Sequence, residues 1–352
     1  MGRYIARRLI YAVAVLLVVS AITFILMHSI PGGPFLTERH LPEQVIKNLE
    51  KKYKLDQPFI NQYFSYLNDA FIPKLGTEAP DESSTAVDYL IQFKIGPLWL
   101  QWMNFGPSYR SLSRSVADIM RQQLPVSAQL GIMALFIGLL IGLPFGIISA
   151  LKHNTIIDYV GMSIAIIGVS VPVIVMGPIL VTFLGVRFGW LPPTGWGAHP
   201  PFVFGVFPRE LNWDFFKYAI MPAFAMGIGS SAIIARLTRA SLLQVFGEDY
   251  IRTARAKGLS EAKVITKHAM KNSMIPVVTV LGPIFAAIVT GSFVTESLFG
   301  IPGMGQYFIT SITNRDYPVI MGTILLYVII LVIANLFVDI TYAFLDPRIR
   351  YE

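Results

Sequence analysis

The sequence predicts an all-α membrane protein with six transmembrane helices and an extended extracytoplasmic helical segment between the first and second spans. Three observations predict it. Hydrophobic residues make up 54% of the chain and charged residues 14%, whereas soluble domains average about 25% charged residues. Six apolar stretches approach or exceed the about 20 helical residues that cross a bilayer core. Arginine and lysine also concentrate at the termini and in one loop between spans, as the positive-inside rule requires.

The six candidate spans are bounded by charged or turn-forming residues. They cover about residues 9–30, 126–151, 157–186, 218–237, 275–295 and 318–344. One such stretch alone could be a buried helix of a large soluble protein, but six in one chain indicate a membrane protein. The first follows three arginines, as a signal peptide does, yet its apolar run over residues 9–27 exceeds the about 7–15 residues of a signal core. We therefore expect it to remain as a span.

Orientation follows from the basic residues of the termini and of the short loops. Those at the termini and between spans four and five are Arg3, Arg7, Arg8, Arg236, Arg239, Arg252, Arg255, Lys257, Lys263, Lys267, Lys271, Arg348 and Arg350. The loop between spans five and six carries only Arg315. Both termini and the loop between spans four and five are therefore expected in the cytoplasm, and residues 31–124 outside.

This topology divides the chain into three parts: an N-terminal segment with the first span (1–30), an extracytoplasmic segment (31–124) and a core of five spans (125–352) with a cytoplasmic loop at about 238–274. Two apolar stripes at helical spacing predict extracytoplasmic helices. They are Leu41, Val45, Ile46, Leu49 and Tyr53, then Phe59, Ile60, Tyr63, Phe64, Leu67 and Phe71. The aromatic-rich residues 99–105 are either an interfacial anchor or ordinary packing, and residues 187–217 predict a turn-rich outer loop.

Motifs of catalysis are absent from the sequence. It contains no G-x-x-x-x-G-K-[ST], H-E-x-x-H, C-x-x-C or G-x-S-x-G pattern, and no cysteine. Its five histidines lack metal-ligand spacing. Gly300, Gly303 and Gly305 resemble a dinucleotide loop, but they follow an apolar span instead of a strand, which predicts a membrane-edge turn. We therefore expect no catalytic residue, cofactor or metal in this chain.

The formal net charge of +7 could suggest nucleic-acid binding. Because the basic residues lie beside apolar spans, membrane topology accounts for them, and we expect no nucleic-acid partner. Acidic residues within spans often mark ion pathways, but the candidates, Glu296 and Asp339, lie near span ends, where we expect snorkelling or an interfacial role. Small residues on spans three to five either line a pathway or, as we expect, allow close helix packing. They are Gly168, Gly177, Gly227, Gly229, Gly282 and Gly291.

The most informative stretch is the cytoplasmic loop at residues 247–275. Residues 248–257 are good helix formers, Gly258 is suited to end that helix, and Ser260 to cap a second one. The small residues Thr253, Ala254 and Ala256 would allow close docking into another protein's groove. The alternative is a plain connector with a solvated charged face.

This loop resembles the EAA loop of ABC importer permeases, in which a short coupling helix docks on the ATPase subunit. Residues 252–254 (Arg-Thr-Ala) stand where that motif has Glu-Ala-Ala, and Gly258 matches its glycine, whereas residues 268–271 replace its Ile-x-Leu-Pro. Eight further segments in order resemble the B-type oligopeptide permease subunit. They are residues 31–35, 56–58, 62–67, 105–108, 190–192, 291–306, 314–317 and 346–351. Residues 68–104 look longer than the corresponding segment of that family.

The resemblance implies the type I ABC importer permease fold in a bacterial inner membrane. It implies half of a pathway for oligopeptides, with a homologous second permease, two ATPases that hold ATP and magnesium, an extracytoplasmic peptide-binding protein and membrane lipid as partners. The residues that it implies for coupling to the ATPase are Asp249, Arg252, Thr253, Ala254, Ala256, Gly258 and Glu261.

Alternatives remain open for the transported solute. Relatives of such permeases handle dipeptides, glutathione, nickel chelates or oligosaccharides, and the sequence does not separate these from oligopeptides. A secondary transporter is a further alternative, although it should show intramembrane carboxylates or inverted repeats, and neither is clear here.

Overall fold

A computed structural model of the chain contains the predicted spans in the predicted order. The model describes residues 2–30, 33–35, 42–77, 88–111 and 113–345. Four helices within these ranges are long and apolar enough to cross a membrane, and two bent helix pairs bring the number to six if each is one span. The helices are α1 (Gly2–Ser29), α2 (Glu43–Lys52), α3 (Phe59–Phe71), α4 (Val116–Leu151), α5 (Ile156–Ser170), α6 (Val173–Leu180), α7 (Trp213–Phe246), α8 (Asp249–Ala256), α9 (Glu261–Lys263), α10 (Met270–Val289), α11 (Phe293–Phe299), α12 (Met304–Asn314) and α13 (Tyr317–Leu345). Leu41, His40 and the motif residues 31–32 and 346–351 lie outside the described ranges.

The second span begins earlier than predicted, at Val116 instead of residue 126. Its first turn is capped by Ser115, whose side chain accepts a hydrogen bond from the Asp118 amide at 2.8 Å. The helix then continues through Pro125 without ending. Arg121 and Pro125 break the apolar pattern, so hydropathy places the boundary too late.

The third and fifth spans are bent. α5 and the helical stretch Val173–Arg187, which is α6 continued by wide π-type turns, meet at 97°. Pro172 lies at this break, and proline disfavours helical geometry in the residue before it. The fifth span bends by 53° between Glu261–Ser273 and Ile275–Val289, then ends at Val289 instead of the predicted residue 295. Gly291, at φ +110°, separates it from α11.

The segment between spans one and two contains the two predicted helices, α2 and α3, and also a small sheet that the sequence did not predict. Strands β1 (Lys74–Gly76), β2 (Ile91–Ile95) and β3 (Leu98–Trp102) pair antiparallel in the order β1-β3-β2. Within β3, the Trp102 indole donates to the Phe71 carbonyl at 3.0 Å. This hydrogen bond indicates that Trp102 packs against α3 instead of anchoring the segment at the membrane interface.

The centre of the core is the contact between α4 and α7. A Cβ atom on Gly138, Gly142 or Gly146 of α4 would lie 2.6 Å from an atom of α7, and one on Gly227 of α7 would lie 2.5 Å from the Ala134 carbonyl oxygen. These glycines let the two backbones approach closely, as small residues do in membrane helix pairs. Close packing is thus confirmed for Gly227, whereas Gly229 faces open space.

A buried ion pair joins α5 to α7. Both Asp158 carboxylate oxygens accept hydrogen bonds from Arg239, each at 2.7 Å, and the Asn154 amide donates to the same carboxylate at 3.0 Å. Asp158 is 1% exposed. Sequence reading missed this acid, although it falls inside the predicted third span. The pair ties the bent third span to the central helix.

We expect Asp158→Asn to lower the unfolding free energy by about 1–3 kcal/mol, because the bidentate charged contact with Arg239 is lost in a buried site. Arg239→Gln should have a similar effect, and the double variant should lose less than the sum of the two. Melting of the full-length chain in detergent measures this. Lys47→Gln, in an exposed pair with Glu43, is the matched control and should change little. If the loss in the double variant equalled the sum of the two single losses, Asp158 and Arg239 would not be coupled.

Candidate functional site

Helix α8 lies in the loop between spans four and five and packs on the chain's own spans. Its Ile251 and Ala254 side chains, three residues apart, are 0% and 5% exposed and face inward on one side of the helix. They join a buried apolar cluster made by Ala150, Leu242, Ile251, Ala254, Val264 and Ala269. Because Ala150 and Leu242 belong to the last turns of α4 and α7, movement of α8 would be transmitted directly to those spans.

Most of the seven residues that the resemblance implies for coupling lie on the opposite, exposed side. The Asp249 and Arg252 side chains are 97% and 72% exposed and lie 3.6 Å apart. Thr253, Ala256, Gly258 and Glu261 are exposed as well. Ala254 is the exception, because it is buried against the chain itself. The three small residues therefore do not form one docking face, and Ala254 anchors the helix instead of contacting a partner.

The end of α8 has the left-handed geometry that the sequence predicts at Gly258, with φ +74°. The Gly258 amide donates to the Arg255 carbonyl at 2.9 Å, and the Leu259 amide donates to the Ala254 carbonyl at 3.4 Å. This pair of bonds is a Schellman motif. A Cβ atom on Gly258 would meet nothing within 4 Å, so the backbone angle, and not a lack of space, requires glycine here.

The turn after Gly258 leads into α9. Ser260 has the extended backbone of a helix cap, but its side chain makes no capping hydrogen bond, so that part of the prediction is wrong. Instead, Glu261 forms an ion pair with Arg255 at 2.8 Å across the turn. Both side chains are exposed, and such pairs contribute about 0–1 kcal/mol. The turn is thus shaped mainly by its backbone.

A buried polar cluster lies between spans five and six, around Glu296 of α11. Its side chain is 0% exposed, and Ser127 of α4 donates to it at 2.6 Å. The same serine oxygen accepts from the Met304 amide at 2.8 Å, and the Gln306 amide donates to the carboxylate at 3.3 Å. In the described part of the chain, no ion pair reaches Glu296. The expectation that it snorkels is wrong.

Three glycines surround the Glu296 carboxyl group and leave no room for side chains. A Cβ atom on Gly303 would lie 2.3 Å from the Glu296 carboxyl carbon, and one on Gly305 would lie 2.9 Å from Oε2. On Gly291 it would lie 2.8 Å from Oε1. The predicted membrane-edge turn is therefore folded around a buried carboxyl group. Burial raises the pKa of Glu296 to about 7 against the lowering effect of its hydrogen bonds.

Asp339, the other acid expected to snorkel, is also buried. It is 5% exposed, and Arg8 of α1 donates to it at 2.8 Å. The ion pair joins α13 to α1 near the chain's two ends. Snorkelling is wrong for this residue too, since its partner comes from a neighbouring span and not from water.

Comparison with known proteins decides the family. The model of the binding-protein-dependent transport system inner membrane component matches residues 142–351, and the N-terminal model of such membrane components matches residues 1–84. The chain belongs to this family. It is 41% identical over 350 residues to the dipeptide transport system permease protein DppB of Bacillus subtilis, covering 99% of this chain and 98% of the relative. It is 36% identical over 351 residues to the oligopeptide transport system permease protein OppB of Escherichia coli, covering 100% of both.

A solved structure agrees on the fold of this family member. A chain of the inward-facing MetNI methionine ABC transporter superposes with a TM-score of 0.51 at 16% identity, over 65% of this chain and 96% of that one. The fold is that of an ABC importer permease, as the sequence predicts, and the chain is a membrane component of a transport system.

Proposed function

We propose that this permease forms half of a pathway that imports oligopeptides, delivered by an extracytoplasmic binding protein, into a bacterial cell. The names of two relatives, an oligopeptide and a dipeptide permease, support a peptide as the solute. Dipeptides are the second candidate solute, because this chain is more identical to the dipeptide permease than to the oligopeptide permease. A homologous second permease would complete the pathway, and two ATPase subunits would supply the energy.

The observation that carries this proposal is the two-sided construction of α8. Its exposed side carries Asp249, Arg252 and Thr253, and its buried side holds Ile251 and Ala254 against the ends of α4 and α7. Closure of the ATPases would push on the exposed side, and the buried side would pass the displacement to the spans. Because a driven transporter must bind its solute differently in its two states, the binding protein would hold most of the specificity.

The test is isolation of the intact complex through an affinity tag on this chain, followed by identification of its subunits. ATP hydrolysis by the reconstituted complex with its binding protein is then measured with oligopeptides, dipeptides, glutathione, nickel chelates and oligosaccharides. Oligopeptides should stimulate it most strongly. Stimulation by dipeptides alone would select the second candidate, and stimulation only by a non-peptide would contradict both.

The isolated chain should neither bind nor hydrolyse ATP, because it lacks a loop that cradles phosphates. ATP and magnesium would be bound by the ATPase subunits. Equilibrium binding of labelled ATP to the pure chain checks this, with the assembled complex as the positive control. Saturable binding by the chain alone at micromolar concentration would contradict the assignment.

Both termini and the α8 loop should be cytoplasmic, with α2 outside, because the basic residues concentrate at the termini and around α8. The chain has no cysteine, so single-cysteine labelling is direct. In intact spheroplasts an impermeant reagent should reach Glu50→Cys but not Ser260→Cys, and both should react after lysis. The reverse pattern would invert the topology.

A further inference from the structure

Helix α3 lies beside α1, and its side-chain contacts follow α1 from the Ser29 end toward the middle. The Phe59 ring lies 5.0 Å from the Phe24 ring and 5.3 Å from the His28 ring. One turn later in α3, the Tyr63 ring lies 5.2 Å from the Phe24 ring. The helix is therefore placed against the last turns of the first span.

The Tyr63 hydroxyl reaches furthest along α1. It lies 2.9 Å from the hydroxyl of Ser20, which is 0% exposed, and it donates to the Leu17 carbonyl at 3.2 Å. At a rise of about 1.5 Å per residue, Ser20 lies about 14 Å along α1 from its end at Ser29. These hydrogen bonds satisfy a polar group that hydrocarbon would leave unpaired.

The ion pair between Arg8 and Asp339 marks the other end of the same span. From Arg8 to Ser29, α1 rises about 32 Å, which matches the about 30 Å thickness of a bilayer hydrocarbon core. A tilt of about 20°, the average for membrane helices, shortens this length by only about 6%. The hydrocarbon core therefore extends nearly to Ser29, and the Tyr63 hydroxyl lies within it.

The apolar and polar residues of α3 lie on different sides of the helix. Ile60 and Phe64, one turn apart, are 53% and 60% exposed. Asn61 and Asn68, two turns apart on another side, are exposed as well. A helix with one exposed apolar side and one exposed polar side is typical of the boundary between headgroups and acyl chains.

The part of α1 next to α3 also exposes large apolar side chains. Ile22, Ile25 and Leu26 are 52%, 51% and 62% exposed, within a stretch apolar enough to cross a membrane. The exposed apolar side of α3 is thus continuous with a surface whose solvent is lipid. Together with the depth of the Tyr63 hydroxyl, this continuity favours acyl chains over a partner protein as the neighbours of α3.

We propose that α3 is embedded in the membrane leaflet at the carboxyl-terminal end of α1. Ile60 and Phe64 contact acyl chains there. Asn61 and Asn68 face the headgroups. Part of the segment between spans one and two would then lie within the membrane and not in the water outside it. This is the outer leaflet if the proposed topology holds.

The experiment attaches a nitroxide spin label to one introduced cysteine of the full-length chain in phospholipid discs, since the chain has no cysteine of its own. Electron paramagnetic resonance measures how often the label collides with oxygen, which concentrates in lipid, and with a water-soluble nickel chelate. The ratio of oxygen to nickel collisions should be high at Ile60→Cys and Phe64→Cys. It should approach the ratio at Val18→Cys, a 57% exposed position of α1.

Two control positions give the ratio expected for water. Asn61→Cys lies on the polar side of the same helix, and Lys47→Cys lies on α2, where the lysine side chain is 63% exposed. Both ratios should be low. The melting temperature of each labelled variant, compared with that of the cysteine-free chain, shows that the substitutions leave the fold intact.

A ratio at both Ile60→Cys and Phe64→Cys as low as that at Lys47→Cys would overturn the proposal, because α3 would then lie in water. The measurement is repeated on the assembled importer. If labels at both positions collide with neither reagent there, a partner protein covers this side of α3, and the proposal is wrong as well. None of these readouts depends on transport, so the proposed function is tested separately.

Discussion

Gly258→Val is expected to abolish solute-stimulated ATP hydrolysis and uptake by the assembled importer, while the chain still inserts and folds. The left-handed backbone at Gly258, φ +74°, strongly disfavours a β-branched residue. The cost is about 1–3 kcal/mol of local strain. It falls on the Schellman turn that ends α8 and not on the spans, because a Cβ atom on Gly258 would meet nothing within 4 Å.

Two controls distinguish a displaced helix from a general loop defect. Gly258→Asn should retain most activity, since asparagine adopts the left-handed region more readily than other residues. Lys263→Gln, an exposed change in α9, should do little. Both ATP hydrolysis and peptide uptake should be measured on complexes with all subunits present. If Gly258→Val transports like the wild type, the loop is only a connector.

Features that depend on local periodicity could be predicted from the sequence. The spans follow from runs of apolar residues, α2 and α3 from stripes of apolar side chains, and the end of α8 from one glycine after a run of helix formers. Each of these sequence patterns lies within the helix that it specifies or directly beside it. Hence the types of these helices were right, while capped ends such as Ser115 shifted their bounds.

Features made by distant residues could not be predicted in the same way. Ser127 meets Glu296 across 169 positions of sequence, and Asp158 meets Arg239 across 81. A reader of the sequence sees an acid near a span end and cannot tell a buried carboxylate from a snorkelling one. The inward face of Ala254 was missed for the same reason, because only the packed ends of α4 and α7 decide which side of α8 is covered.

The Glu296 turn gives the second large expected effect: Gly303→Ala should lower the melting temperature strongly and abolish transport. Its added carbon would lie 2.3 Å from the Glu296 carboxyl carbon, so either the loop or the buried side chain must move. Overpacking costs about 1–3 kcal/mol. Each hydrogen bond lost from the buried Glu296 side chain adds about 1–3 kcal/mol, because it leaves a buried polar group unsatisfied. Melting in detergent and uptake by the reconstituted complex measure both consequences.

The contact partner of that added carbon can be identified by pairing the substitution with a second one. Glu296→Ala removes the carboxyl group, so Gly303→Ala should cost much less in that background than in the wild type. Gly229→Ala is the matched control, because Gly229 lies in the α7 helix with no atom within 4 Å of the added carbon. It should be neutral or stabilise by about 0.5–1 kcal/mol, as alanine replaces glycine within a helix. Equal costs of Gly303→Ala in both backgrounds would show that the backbone, and not the Glu296 carboxyl group, excludes a side chain there.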